Sequence, residues 1–197
     1  MDLISRISQH FADSAQTTFD AIETLAAPLA GAVELMVGTL VGNGKILACG
    51  NGGSAADAQH FVAELVGRFE MERQGLAALA LTTDSSIMTA VANDYGYKTV
   101  FERQVRALGQ HGDLLLAIST SGDSPNVVEA VRAAHENELR VVALTGKGGG
   151  KIGQMLLDTD VHLCVPSDRT ARIQEVHALI VHCLCDGIDC LLLGVEE

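Results

Sequence analysis

The feature that most constrains this chain is an alternation. Short apolar runs at residues 45–49, 77–83, 114–119, 140–145 and 161–165 are separated by segments of helical pattern, clearest at 54–67 and 125–136. Strands alternating with helices build βαβ units, and right-handed crossovers then give a parallel sheet covered on both faces. Nearly half the residues are apolar, yet aromatics make up 4% and Trp is absent, so the core is expected to be aliphatic, as parallel strands under helices require. At 197 residues, without repeat, linker or low-complexity tract, the chain reads as one α/β domain.

Residues 1–42 follow a different pattern. Leu3, Ile4, Ile7, Phe11, Ala15, Phe19, Ile22 and Leu25 recur at helical spacing, as do Leu29, Val33, Met36, Val37 and Leu40, so two helices broken at Pro28 are expected. Residues 1–43 form an N-terminal helical segment ahead of a core at 44–197. The last helix, 170–193, is apolar over most of its circumference and must be buried on several sides. One small sheet cannot do that alone, which predicts a symmetric homo-oligomer with the N-terminal helices in its interface.

The net charge of −12 comes without Lys/Arg clusters, which argues against a nucleic-acid surface. Cys49, Cys164, Cys183, Cys185 and Cys190 are odd in number and sit in apolar runs, so free, buried thiols in a reducing compartment are expected. The spacing of the last three matches no usual zinc pattern. Residues 1–8 carry charge and no apolar h-region, and no apolar run approaches a membrane span; a soluble cytoplasmic protein is the expectation.

Two strand ends are loaded with small residues. Cys49-Gly50-Asn51-Gly52-Gly53-Ser54 and Ser119-Thr120-Ser121-Gly122-Asp123-Ser124 each run into a helix. Glycines let a backbone approach an anion, and a helix N-terminus offers unpaired N–H groups and a positive dipole end. Two such loops, at the edge where doubly wound sheets bind ligands, point to a phosphate rather than to ordinary capping. The match of residues 50–55 to G-x-G-x-x-A lacks the acid expected about 20 residues on, so a dinucleotide is disfavoured.

His60 and Glu64, at i and i+4, share a helix face. On the last helix Gln174, Ala178 and His182 step along one drifting stripe, and His177 lies well round from His182. Imidazole and carboxylate on one turn, with a second His and an amide from another helix, can form a zinc site with an open position; a solvated helix pair is the alternative. His10, His111, His135 and His162 read as structural, and Asn93-Asp94 before Tyr95-Gly96-Tyr97 as a helix end.

The string 49–54 with Asp57, His60 and Glu64, followed in order by Ala92-Asn93-Asp94, Ile118 to Gly122, Ala143 to Gly146 and Arg172 to His177, resembles the sugar isomerase (SIS) domain proteins and, within them, the phosphoheptose isomerases. The resemblance covers essentially the whole chain. It implies a flavodoxin-like sheet of five parallel strands and a cytoplasmic homotetramer with sites between subunits. It further implies conversion of sedoheptulose 7-phosphate to D-glycero-D-manno-heptose 7-phosphate, which feeds lipopolysaccharide core synthesis through ADP-heptose. The implied ligands of one Zn2+ per subunit are His60, Glu64, Gln174 and His182. The implied phosphate and sugar contacts are Asn51, Gly52, Gly53, Ser54, Glu64, Asn93, Asp94, Ser119, Thr120, Ser121, Ser124 and Gln174. Where some members carry an Asp three residues before the Gln, this chain has Ala171.

A non-catalytic branch of the same family binds the replication initiator DnaA and resembles residues 171–175 and 183–186. It replaces the groups matching Glu64 and His182, which this chain retains. A sugar-phosphate sensor is a further alternative, but such sensors carry an appended DNA-binding domain. The isomerase reading makes Glu64 and His182 the general base and general acid, in either order, of proton transfer through an enediol.

Overall fold

The computed structural model describes residues 2–194. Strands β1 (Ile46–Gly50), β2 (Ala78–Ala80), β3 (Leu114–Ser119), β4 (Arg140–Thr145) and β5 (Val161–Cys164) form one parallel sheet in the order β2-β1-β3-β4-β5. Helices α1 (Leu3–Val41), α2 (Gly53–Val66), α3 (Ser85–Tyr95), α4 (Glu102–Leu108), α5 (Pro125–Glu136), α6 (Gly150–Met155) and α7 (Thr170–Leu193) complete the fold. This is the expected flavodoxin-like order. Its switch point lies between β1 and β3, which run side by side with Ile46 opposite Leu114 and Gly50 opposite Ile118.

Because strand side chains alternate, the sheet has two apolar faces. Ile46, Ala48, Leu114, Leu116, Ile118, Val142 and Leu144 face α1, α2 and α7. Leu47, Cys49, Leu115, Ala117, Val141 and Ala143 face α4, α5 and α6. Each fully buried Leu or Ile contributes roughly 1.5–3 kcal/mol relative to exposure. The two faces place α2 and α5, which follow the two small-residue loops, on opposite sides of the sheet.

Several expectations need correction. Residues 3–41 form one helix, with Pro28 inside it, rather than two. A mid-helix Pro forfeits one hydrogen bond and crowds the preceding turn, at a cost of about 3 kcal/mol. Here Leu25, Ala32, Val33 and Met36 on both sides of Pro28 are buried against one core, and that continuous contact holds the helix through the defect. The second strand is short, Ala78–Ala80, and lies at the sheet edge. Cys49 and Cys185 are buried, and burial pushes both thiols up to about 12, but Cys183 and Cys190 are exposed.

By length and composition α1 and α7 are both apolar enough to cross a membrane, contrary to the expectation that no run approaches that length. Arg172, His177 and Asp189 are nonetheless buried along α7, with protein partners, as a core helix accommodates them. Met1 and residues 195–197 of the single-domain expectation lie outside the described residues.

His177 illustrates that core role. It is fully buried, its Nε2–H donates to the Thr145 carbonyl at 3.0 Å, and its Nδ1 has no partner. A second proton would be buried and unpaired, so burial lowers its pKa to about 4 from an ordinary 6.5. Below pH 6.5 the unfolded chain therefore takes up a proton that the folded chain refuses. The stability this residue contributes is present above pH 6.5 and declines by roughly 3 kcal/mol as the pH falls toward 4. Asp57, whose pKa is raised to about 6 chiefly by burial, acts in the opposite direction over the same range. Urea titrations at pH 7 and pH 5, at fixed protein concentration, are expected to show a loss at pH 5 that is smaller in His177→Gln. An equal loss in both proteins would remove His177 as its source.

Candidate active site

The β1–α2 loop and the β3–α5 loop stand side by side because β1 and β3 are neighbours. No side chain caps α2 at Gly52, so its first N–H groups have no side-chain acceptor. At α5 Pro125 has no N–H and the Val127 N–H donates to Asn126 Oδ1 at 3.1 Å, which leaves the Asn126 N–H without a side-chain acceptor there. That is the geometry in which a phosphate is held by backbone N–H groups and a helix dipole. Gly50 is required here: a Cβ on it would come within 2.5 Å of the Ser54 carbonyl oxygen. A Cβ on Gly53 would meet the Gln174 amide at 2.2 Å, so Gln174 of α7 closes over the start of α2.

The expected hydroxyls divide. Ser54 and Ser119 are buried, Thr120, Ser121 and Ser124 are half-buried, and Ser119 Oγ bonds Ser124 Oγ at 3.0 Å. Asn51 is committed to protein contacts: its Nδ2 donates to Asn126 Oδ1 at 2.8 Å, and its Oδ1 accepts from Asn126 Nδ2 at 2.8 Å and from Tyr97 Oη at 3.0 Å. Asn126, buried in the first turn of α5, thereby ties the two loops together. Asn93 and Asp94 lie exposed in the last turn of α3 and bond each other at 2.7 Å. Their segment reaches the loops through Tyr97, not through either side chain.

Farther along α2, His60 Nε2 lies 3.2 Å from Glu64 Oε1. The His182 ring on α7 stands edge-on to His60, centroids 5.0 Å apart at 86°, with Phe69 on its other side at 5.7 Å. The structure thus brings His60, Glu64 and His182 together and turns His177 into the core. Gln174 is eight residues before His182, about 12 Å along the helix axis. Asp57, one turn before His60, has a buried oxygen without a partner; its carboxyl is raised to about 6 by burial, opposed by the nearby His60. At position 171 α7 carries an exposed Ala, so no carboxylate stands there.

Two imidazoles and a carboxylate from facing helices are a donor set that suits zinc. Among the described residues, however, no three His, Cys, Asp or Glu side chains yet converge on one ion position, because His60 is turned onto Glu64. The set fits the metal in chemistry. A separate depression of about 450 Å³, lined by Lys98, Asp123, Pro125, Glu129, Arg132 and Lys151, lies by α5, on the opposite face of the sheet. Its Lys98 and Arg132 are already paired with Glu129.

Sequence reasoning missed Asn126, Tyr97 and Arg73, whose side chains organise the loops and the end of α2. The stretch Pro125-Asn126 read as an ordinary helix start, and Tyr97 as part of a turn.

Residues 10–146 match the model of the SIS domain. Over its full length the chain is 73% identical to the phosphoheptose isomerase of Azoarcus sp. (strain BH72), whose whole length is also covered. The solved phosphoheptose isomerase of Neisseria gonorrhoeae superposes with a TM-score of 0.92 at 57% identity, covering 95% of this chain and 99% of that one. That of Francisella tularensis gives 0.94 at 48% identity, covering 96% and 99%. With fold order, paired loops and full-length identity in agreement, the chain belongs to the SIS domain family and, within it, to the phosphoheptose isomerases.

Proposed function

We propose that this isomerase converts sedoheptulose 7-phosphate to D-glycero-D-manno-heptose 7-phosphate in the cytoplasm, supplying heptose for lipopolysaccharide. The observation that carries the reading is the meeting of His60, Glu64 and His182 in the groove between α7 and α2, the latter being the helix whose uncapped N-terminus follows the first of the two loops. The names of the relatives favour a seven-carbon sugar phosphate.

In this mechanism the two loops hold the phosphate through backbone N–H groups and the hydroxyls of Thr120, Ser121 and Ser124, which fixes the sugar chain relative to α2. One of Glu64 and His182 removes a proton from C1 of the ketose, and the C2 carbonyl oxygen gains one, giving an enediol. The O1 hydroxyl then gives up its proton as C2 receives one, and the product is the aldose. A carboxylate and an imidazole are side chains suited to moving protons, and Glu64 and His182 stand on neighbouring helices, α2 and α7. His60, Glu64, Gln174 and His182 would hold one zinc ion per subunit, which when bound supplies electrostatic stabilisation of the developing oxyanion.

The exposed apolar side chains of α1 and α7 support a homotetramer. Phe11 is 76% exposed, Phe19 67% and Ile22 57%, and a groove lined by Ile22, Leu25, Leu29, Val176 and Leu179 runs between the two helices. A patch of that kind marks an interface.

The test is conversion of sedoheptulose 7-phosphate by purified protein whose size is checked on the same preparation. Turnover is expected to disappear on chelation and to return with zinc. An intact tetramer that turns over nothing in any condition would overturn the reading and favour a DnaA-binding adaptor.

A further inference from the structure

We propose that the buried pair Arg73–Asp189 is a positioning device that sets Glu64 against His182; the inference rests on the proton-transfer roles proposed for those two residues. Arg73 lies in the irregular stretch between α2 and β2, yet its side chain is 4% exposed, as is that of Asp189. Its Nε donates to Asp189 Oδ1 at 2.5 Å. Its Nη2 donates to the backbone carbonyl of Glu64 at 3.0 Å, and its Nη1 to that of Leu65 at 2.9 Å. The guanidinium therefore fills the C-terminal end of α2, where carbonyls lack intrahelical partners and partial negative charge collects.

Asp189 follows His182 by seven residues, two turns on and so on the same face of α7. One rigid planar group thus touches the backbone of one proton-transfer residue and the helix that carries the other. Among the described residues, the side-chain hydrogen bonds joining the C-terminal end of α2 to α7 run through it. Lys could supply the charge but not the fork, since an ammonium is a point charge on a flexible stem.

A positioning role and a merely structural one predict different results. The desolvation of a buried ion pair offsets most of its attraction, so replacing both partners by apolar residues of similar volume costs little beyond the hydrogen bonds that the guanidinium gives to the Glu64 and Leu65 carbonyls. If the pair only stabilised the fold, that replacement would lower the melting temperature slightly and leave kcat unchanged. If it sets the separation of Glu64 and His182, the replacement leaves a folded protein with misplaced chemistry, and small misplacements lower turnover steeply.

The experiment compares Arg73→Lys, Asp189→Asn and the double variant Arg73→Met/Asp189→Leu, each assayed with sedoheptulose 7-phosphate well below its own melting temperature. Melting temperature and oligomer size are measured on the same samples. The expected result is a kcat at least about tenfold lower in all three, a KM within about twofold because the phosphate loops are untouched, and a double variant melting within a few degrees of the parent. Should the single variants fail to fold, the double variant, which leaves no charge unpaired, carries the test. A folded double variant with parental kcat overturns the inference. Glu64→Gln is run alongside: normal turnover there would defeat the proton-transfer reading itself, whereas an inactive Glu64→Gln beside normal Arg73 variants would defeat only the positioning role.

Discussion

Glu64→Gln is expected to lower kcat by about 10³-fold while leaving folding, assembly and KM close to those of the parent protein. The amide has the volume of the carboxyl, and its oxygen can still accept from His60, 3.2 Å away in the parent. What it cannot do is take a proton from carbon. Glu64 lies on the second half of α2, and its side chain is 24% exposed, so no buried network is disturbed. The same substitution separates two roles that would otherwise be confused. A residue that only holds metal would, as Gln, still offer an oxygen, and added zinc would restore turnover. A residue that moves a proton would not be rescued at any zinc concentration. The second outcome is expected, and His182→Gln should behave in the same way. Near-normal turnover by Glu64→Gln, with or without added zinc, would sink the assignment.

The parts of this site that were legible in the sequence share one property, namely that the information lies within a turn or two of chain. The i, i+4 spacing of His60 and Glu64 is set by helix geometry alone, and their 3.2 Å approach follows from it. The stripe through Gln174 and His182 likewise separates His182 from His177, which the structure turns onto the Thr145 carbonyl. The five strand positions follow from short apolar runs, and the parallel sheet from their alternation with helices.

What escaped depends on partners far away in the chain. The bonds between Asn51 and Asn126 span 75 residues, and that between Arg73 and Asp189 spans 116. No local pattern marks either residue, because an Asn in the first turn of a helix and an Arg in a loop are ordinary at the level of sequence. Pro28 escaped for the converse reason: the local signal for a break is strong, but packing of Leu25, Ala32, Val33 and Met36 on a common core overrides it.

The glycine that should matter most is Gly122, in the second loop. Its φ is +68°, and a Cβ there would lie 1.9 Å from the Gly149 carbonyl oxygen and 2.4 Å from its carbon. That neighbour is backbone and cannot swing aside. Residues 146–152, after β4, pack against the loop from several directions. The Ile152 N–H donates to the Gly122 carbonyl at 2.9 Å, the Lys151 N–H to Asp123 Oδ1 at 3.1 Å, and a Cβ on Gly150 would come within 2.5 Å of the Ser121 carbonyl oxygen. Alanine at 122 must therefore displace either this buttress or the hydroxyl loop from Ser119 to Ser124, and both carry the proposed phosphate site with them.

A shift of about 1 Å in such a site is expected to lower kcat/KM by about 10²-fold, mostly through KM, and to weaken competition by inorganic phosphate in parallel. Gly148→Ala supplies the control. Its φ of +76° imposes the same backbone penalty, but nothing lies within 4 Å of its Cβ position. Both variants should lose of order 1–2 kcal/mol of stability from an Ala held at positive φ, and only Gly122→Ala should lose phosphate. Parental KM and phosphate inhibition in Gly122→Ala would mean that the loop relaxes without moving its hydroxyls, and the anion site would then have to be sought at the β1 loop alone.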